Sequence, residues 1–211
     1  MRDIPIFTGE YGVASLTLSQ VPYKQEAYIR IQSASDAERL LLECADFCKA
    51  VGAEKIFFTG YENHSYPVYT ELLEMAVLRE SLPDTDAALI PLQDKTLDKW
   101  VEIYNHRMQN VPASSYMRVQ DGKKLLEAGN GYFVHRNGQL LGIGIASGDA
   151  VSAIASVLPG AGRDVLLALN HALFSERLIV EVASKNLAAC RLYESLGFMT
   201  TKIILKWYQF L

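Results

Sequence analysis

The amino-acid sequence predicts an α/β fold, and three observations support this prediction. Half of the 211 residues are hydrophobic, which is enough to build a substantial core as one large domain or two small ones. Short apolar runs rich in β-branched residues alternate with longer segments of helical periodicity. An Asn-Gly pair at 137–138, between two apolar runs, is typical of a hairpin turn.

The N-terminal part of the chain contains the pattern strand, helix, strand. Strands are predicted over the segments GVASLTLSQ (12–20), AYIRIQ (27–32) and EKIFFTG (54–60). A helix is predicted from about Asp36 to Ala50. Ser35 and Glu38 form a capping-box pattern at its start, so we expect its free amides to be satisfied internally.

The C-terminal part repeats this alternation over more elements. Helices are predicted over 96–108, 123–128 and 163–176. Strands are predicted over ALIPLQ (88–93), the hairpin GYFVHRNGQLLGIGIAS (131–147), VSAIASV (151–157), LIVEVA (178–183) and TTKIILKWYQF (200–210). The turn-forming stretch Leu82 to Asp86 lies between the two parts and predicts a boundary there.

Composition and charge restrict the classes of function. A net charge of −4 and a sequence pI near 5.6 argue against binding to a phosphate backbone, so we expect no nucleic-acid partner. No apolar run approaches the ~20 residues that span a bilayer, and the first residues lack a signal-peptide pattern, so we expect a cytoplasmic protein without a membrane partner. Cys44 and Cys48 have no histidine nearby, which predicts core cysteines and no metal site.

The segment from Leu178 to Phe198 carries the most information about function. It begins with an apolar strand, continues with Asn186 as a candidate helix N-cap, and ends at Gly197, which is typical of a helix stop. Apolar residues fall at helical spacing between them: Ala189, Leu192, Tyr193 and Leu196. A tyrosine is therefore predicted on a helix beside a sheet.

Asn186 is followed by an Ala-Ala pair, a Leu-Tyr pair and a Gly-Phe pair. This motif resembles the C-terminal signature of the GCN5-related N-acetyltransferases, the GNAT family. The resemblance covers residues 87 to 211 at the level of elements. It implies a GNAT-like mixed, mostly antiparallel twisted sheet flanked by helices, and acetyl-CoA as co-substrate without a metal. It also implies a GNAT acetyltransferase domain over 86–211, preceded by a truncated, degenerate GNAT-like half over 1–85. The echo of LYESLGFM (192–199) in VYTELLEM (68–75) favours this duplication, and chance similarity is the alternative.

A helix start preceded by glycines offers free amides and a partial positive charge to the diphosphate of acetyl-CoA. The predicted cofactor-binding residues are Val157, Leu158, Gly160, Ala161, Gly162, Arg163 and Asn186. Val157 stands where the family has Arg or Gln, and the loop is shorter than usual. In the N-terminal half, Asp36 and Glu38 would repel a phosphate, so we expect acetyl-CoA only in the second half.

The family resemblance assigns Tyr193 as the general acid that protonates the departing thiolate, and its ordinary pKa near 10 permits this. Glu181, a carboxylate within an apolar strand, resembles a catalytic base of the branch that acetylates protein N-terminal amines. Each of these functional roles has a structural alternative. Tyr193 would pack in the core, Glu181 would form a salt bridge or lie at an exposed edge, and Asn186 would cap a helix.

The sequence therefore predicts an N-acetyltransferase that moves acetyl from acetyl-CoA directly to an amine. The expected acceptor is a small-molecule or peptide amine, and a homodimer is left open. The alternative function is a catalytically inactive acetyl-CoA-binding or regulatory module of the same fold, which the departure at Val157 favours. An unrelated α/β protein would require the Tyr193 motif to be a coincidence.

Overall fold

The chain packs into two units, which we describe separately from a computed structural model of residues 1–62 and 64–211. Unit 1 contains Met1–Leu72 and Ile204–Leu211, and unit 2 contains Leu73–Ile203. Among these residues, every helix is too short or too polar to cross a lipid bilayer. The predicted division into 1–85 and 86–211, and the duplication behind it, stay predictions.

Unit 1 is a sheet with one long helix. Its elements are β1 (Ile4–Gly9), β2 (Gly12–Thr17), α1 (Val21–Lys24), β3 (Glu26–Ala34), α2 (Ala37–Ala50) and β4 (Lys55–Thr59), with parts of β5 (Val68–Leu78) and β11 (Met199–Gln209). The strand order is β1-β2-β3-β4-β11-β5. The pair β3–β4 is parallel because α2 carries the chain back across the sheet, and the pairs β1–β2, β2–β3 and β4–β11 are antiparallel.

The core of unit 1 lies between α2 and its sheet. Leu40, Cys44 and Cys48 of α2 are fully buried against strand residues such as Ile29 and Phe58. Burial raises the pKa of both thiols to about 12, so they stay protonated and unreactive at neutral pH. The prediction of core cysteines is confirmed.

The start of α2 is capped, but not by the predicted residues. Asp36 is the N-cap, and its carboxylate accepts a hydrogen bond from the Arg39 amide at 3.1 Å. Ser35 instead donates to the Tyr11 carbonyl, and Glu38 accepts from the hydroxyls of Tyr61 and Tyr66. The predicted box of Ser35 and Glu38 is therefore wrong, because both side chains are drawn into tertiary hydrogen bonds.

Unit 2 contains the larger number of elements. They are β6 (Ala88–Pro91), α3 (Leu97–Met108), α4 (Val119–Glu127), β7 (Gly131–Arg136), β8 (Gln139–Ser147), β9 (Ala150–Ser156), α5 (Gly162–Asn170), β10 (Arg177–Ala183) and α6 (Leu187–Ser195), with parts of β5 and β11. The strand order is β11-β5-β10-β9-β8-β7-β6. The pairs β6–β7, β7–β8 and β8–β9 are antiparallel, and β9–β10 is parallel. The predicted fold class, a mixed and mostly antiparallel sheet flanked by helices, is confirmed.

Two helical layers cover the sheet of unit 2. One core joins α5 and α6 to the sheet through residues that include Val165, Leu169 and Val180. A second core joins α3 to the sheet through Trp100 and Ile143, and the Trp100 indole donates to the Tyr132 carbonyl at 3.0 Å. The helices therefore hold the sheet from both faces and fix where its strand ends lie.

Two local predictions for these elements need correction. The predicted helix over 163–176 ends at Asn170, where Arg79 donates to the Asn170 carbonyl and so satisfies one group of the helix end. Arg79 also donates to the Ser175 carbonyl in the segment that follows. The sequence similarity between 192–199 and 68–75 does not extend to the structure. Residues 192–195 form the end of α6, whereas residues 68–75 lie in β5. Burial of Thr70, Met75 and Val77 in β5 explains the preference for a strand.

Candidate functional site

The parallel strands β9 and β10 pair only at their beginnings. Their register covers Ala150 with Ile179 and Val151 with Val180, and the Ile179 amide donates to the Asp149 carbonyl at 2.8 Å. Beyond these positions β9 continues to Ser156 and β10 continues to Ala183, but their residues are no longer paired with each other. The two strands therefore diverge and leave backbone groups available to an extended ligand between them.

The corresponding parallel pair of unit 1 is closed. The strands β3 and β4 keep their register from Glu26 with Lys55 to Arg30 with Thr59, over five positions. The helix that follows β3 begins at a side-chain cap, Asp36. Unit 1 thus has neither a strand opening nor an uncapped helix start at this place.

The helix α5 begins at the wide end of the β9–β10 opening, because the chain passes from the end of β9 directly into it. Its N-cap is Ala161, without a side-chain hydrogen bond, and the first internal bond runs from the Val165 amide to the Ala161 carbonyl at 3.0 Å. The amides of the first turn consequently have no partner within the helix. Gly160 precedes it with a φ of +80°, and a side chain at that position would point into open space.

The predicted cofactor-binding residues from Val157 to Arg163 form this loop and helix start. The Val157 amide donates to the Leu141 carbonyl at 2.8 Å, and the Ala161 amide donates to the Leu158 carbonyl at 3.3 Å. The first bond ties the start of the loop to β8, and the second lies within the loop. Gly162 faces α6, where an added Cβ would lie 3.3 Å from Leu192 Cδ2.

Two guanidiniums and two carboxylates lie around the start of α5. Asp164, in the first turn, is the one acidic residue there, and the guanidinium of Arg136 lies 2.7 Å from its carboxylate. Arg136 also forms an ion pair with Asp86, with 2.6 Å between Nε and Oδ1. The side chain of Arg163 is exposed. Because Arg136 pairs with Asp164, the repulsion between this carboxylate and an anion at the helix start is reduced.

Tyr193 lies on α6, directly after the residue that contacts Gly162. Its ring is 6% exposed and packs against Phe198, with 5.5 Å between ring centroids. Burial is the main cause that raises the pKa of Tyr193 to about 12, and the nearby Cys190 is a second, smaller cause. The described residues supply no hydrogen-bond partner for its hydroxyl. The raised pKa keeps this hydroxyl protonated at neutral pH.

Glu181 lies on the other face of β10. Leu178, Val180 and Val182 point into the core with α5 and α6, so alternation directs Glu181 away from Tyr193, and it is exposed. Lys202 on β11 interacts electrostatically with Glu181 and forms an ion pair with Glu74 at 2.9 Å. The structure therefore separates Glu181 from Tyr193 by the thickness of the strand.

Asn186 is the N-cap of α6, and its side chain accepts a hydrogen bond from the Ala189 amide at 3.3 Å. The predicted capping role is confirmed, and binding of a cofactor by the same side chain stays a prediction. Since α6 follows β10, Asn186 lies at the same carboxyl end of the parallel pair as the start of α5. The roles assigned to Tyr193, Glu181 and the loop residues stay predictions as well.

Sequence reasoning missed three features of this site: the divergence of β9 and β10, the neutralisation of Asp164 by Arg136, and a contact from α3. In that contact the Arg107 guanidinium donates a hydrogen bond to the Val157 carbonyl, across 50 residues of sequence. Charged residues on an exposed helix face carry no signal of such a partner. Strand divergence has no local sequence signature either, because it depends on how α5 and α6 pack.

A surface groove elsewhere in unit 2 has a volume of about 530 Å³ and is lined by Leu78, Arg79, Glu80, Ser175 and Glu176. It lies near the end of α5, away from the helix start. Arg79 already donates to Asn170 and Ser175 there, so its guanidinium serves to hold the backbone. The groove therefore has no part in the candidate site.

Solved structures share this fold at low sequence identity. A GCN5-related N-acetyltransferase from Anabaena variabilis aligns with a TM-score of 0.61 and 10% identity, over 94% of this chain and 59% of its own. One from Sphaerobacter thermophilus aligns with a TM-score of 0.56 and 10% identity, over 93% and 75%. A functionally unknown conserved protein from Staphylococcus epidermidis aligns with a TM-score of 0.59 and 11% identity, over 99% and 94%. No protein-family model and no curated protein matches the sequence.

Proposed function

We infer that this chain, which has the fold of the GCN5-related N-acetyltransferases, transfers an acetyl group from acetyl-CoA directly to an amine. One observation carries the proposal: β9 and β10 lose their pairing towards the end where α5 begins without a side-chain cap, and α6, which holds Tyr193, begins at that same end. An extended thioester with an anionic end fits a site with these parts in this order.

The loop and helix start would hold the anionic end of acetyl-CoA. Amides at Gly160, Gly162 and Arg163 are the donors for the diphosphate, and the Arg163 side chain adds a positive charge. The unpaired backbone of β9 and β10 would bind the amide groups of the pantetheine arm. Asn186, at the same end of β10, is the side chain that we assign to this arm.

The reaction then needs no covalent acyl-enzyme. The neutral amine attacks the thioester carbonyl, a C–N bond forms, the C–S bond breaks, and the electron pair leaves with sulfur. The Tyr193 hydroxyl donates to that sulfur, and the proton lost by the amine passes to Glu181 or to water. The Tyr193 phenolate then regains a proton from solvent, which returns the protein to its starting state.

The raised pKa of Tyr193 defines how it acts. A phenol with a pKa of about 12 is protonated at any physiological pH, which is the state that a donor requires. Full transfer to a thiolate with an ordinary pKa near ~8.5 is uphill by about 5 kcal/mol. Tyr193 therefore stabilises the departing thiolate first as a hydrogen-bond donor and protonates it late.

A second function, a binding or regulatory module without turnover, is favoured by the placement of Glu181 and Tyr193 on opposite faces of β10. Acetyl transfer does not require Glu181, because water can take the proton that the amine loses. We therefore keep acetyl transfer as the main proposal.

The two functions are separated by measuring acetyl-CoA binding and turnover on the same preparation. Thermal unfolding with acetyl-CoA reports binding, and thiol release in the presence of peptide, lysine, polyamine and aminoglycoside amines reports transfer. We expect stabilisation by acetyl-CoA and amine-dependent thiol release. Stabilisation without release for any amine would favour the regulatory module, and absence of both would reject the cofactor site.

A further inference from the structure

An arginine of α3 is attached to the first residue of the loop that precedes α5. The Arg107 side chain is exposed, and one of its terminal nitrogens donates to the Val157 carbonyl. Arg107 lies in the last turn of α3, so the helix holds the guanidinium beside the loop. This bond uses one of the five donors that an arginine carries.

Two other cations of unit 2 form ion pairs with acidic side chains, whereas Arg107 does not. Lys99, on the same helix, pairs with Glu102 at 2.9 Å, and Arg118 pairs with Asp121 at 2.8 Å. Within residues 1–62 and 64–211, Arg107 has no ion pair and no hydrogen bond other than the one to Val157. Its positive charge is therefore available to an anion at the loop.

Two further features make this location suited to a diphosphate. The nearest acidic side chain of the helix start, Asp164, is already bound by Arg136. Arg163 supplies a second exposed guanidinium on the same loop. The loop itself carries an apolar residue, Val157, at the end where Arg107 arrives. A guanidinium held by one carbonyl has lost part of its conformational freedom before a ligand binds, which lowers the entropic cost of contacting a phosphate.

We propose that Arg107 is a binding residue for the diphosphate of acetyl-CoA, supplied from α3 to a loop that has no cation at Val157. This inference rests on the proposed function, since it names a further residue of the same site. The remaining donors of Arg107 contact phosphate oxygens, while the bond to Val157 keeps the guanidinium in position.

The test replaces Arg107 with Gln, which keeps a polar side chain and removes the charge. Affinity is measured by calorimetry with CoA, and turnover with acetyl-CoA and with S-acetyl-pantetheine, which lacks the diphosphate. We expect Arg107→Gln to weaken CoA binding by about 10-fold or more and to raise the KM for acetyl-CoA without lowering kcat. The value of kcat/KM for S-acetyl-pantetheine should not change.

Lys99→Gln is the matched control, because it removes a cation from the same helix where Glu102 already neutralises it. It should leave the CoA affinity unchanged. Wild-type affinity should also fall more steeply with added salt than that of Arg107→Gln.

The possible failures are distinguishable. If wild-type protein does not bind CoA, the proposed function fails and this inference falls with it. If wild type binds CoA and Arg107→Gln binds equally well, only the role of Arg107 is overturned. If the variant loses kcat/KM equally with both thioesters, Arg107 only supports the loop structurally, and the inference is again overturned.

Discussion

At the scale of single residues, burial of one phenol decides both a catalytic and a stability property. The Tyr193 ring lies in the core, but the described residues leave its hydroxyl without a hydrogen-bond partner. Replacement by Phe should therefore preserve folding at neutral pH. We expect Tyr193→Phe to lower kcat by about 10²-fold, the lower end for loss of a general acid, with little change in KM for acetyl-CoA.

Steady-state kinetics with acetyl-CoA checks this prediction, and Tyr61→Phe is a control that removes a phenol from unit 1. Unchanged turnover in Tyr193→Phe would remove Tyr193 from the mechanism. An equal loss in both variants would indicate general damage.

The same residue predicts a pH dependence of stability. The folded-state pKa of Tyr193, about 12, lies above its unfolded value near 10, so folding disfavours ionisation. The free energy of unfolding is unaffected by this group below about pH 10 and falls as pH rises towards 12, by up to about 1.4 kcal/mol per pH unit. Near pH ~8, the free energy of unfolding measured in urea should be similar for wild type and Tyr193→Phe. At alkaline pH, the free energy of unfolding should fall less in the variant than in wild type. Parallel curves at high pH would contradict this assignment.

A glycine in the loop before α5 provides a second residue-scale prediction. Gly160 has a φ of +80°, and its missing side chain would meet no atom within 4 Å. Gly160→Ala should cost about 1 kcal/mol of stability through backbone strain alone. Because the strain shifts the loop amides, acetyl-CoA affinity should fall as well.

Gly138→Ala is the matched control for this strain. Gly138 has a φ of +77° and equally open surroundings in the β7–β8 turn. Chemical unfolding should show a similar destabilisation in both variants, whereas calorimetry should show weaker acetyl-CoA binding only for Gly160→Ala. Equal affinity in both would indicate that the loop amides do not contact the ligand.

At the scale of elements, the two parallel strand pairs differ in the length of their register. The pair β9–β10 keeps register over two positions and the pair β3–β4 over five. We expect acetyl-CoA to slow hydrogen exchange at residues 152–156 and 181–183, where β9 and β10 are not paired with each other. The β3–β4 pair is an internal control and should exchange at the same rate with and without ligand. Protection confined to unit 1 would reverse the assignment of the site.

Comparison of these elements with the sequence explains what a pattern can predict. The Asn137-Gly138 turn is correct because both residues accept positive φ values, a property of the residues themselves. The cap of α2 moved from Ser35 to Asp36 because tertiary partners compete for Ser35 and Glu38. Local propensity is decided by neighbours in the chain, whereas competition for hydrogen bonds is decided by neighbours in space.

At the scale of the whole molecule, we expect each chain to bind one acetyl-CoA. Unit 2 has a diverging strand pair and an uncapped helix start, whereas unit 1 has a closed pair and a helix capped by Asp36. Isothermal titration with acetyl-CoA should therefore give a stoichiometry near one per chain. A value near two would show that unit 1 also binds, and it would contradict the structural difference between the units.

The sequence by itself determined the alternation of strands and helices, the core cysteines, and the helix that carries Tyr193 behind an apolar strand. These features follow from periodicity and residue type, which act over a few neighbouring positions. Only the tertiary structure decided that β9 and β10 diverge, that Glu181 and Tyr193 lie on opposite faces of β10, and that Arg107 meets Val157. Each of these depends on packing between segments far apart in the chain, where the geometry is set by the cores on both faces of the sheet.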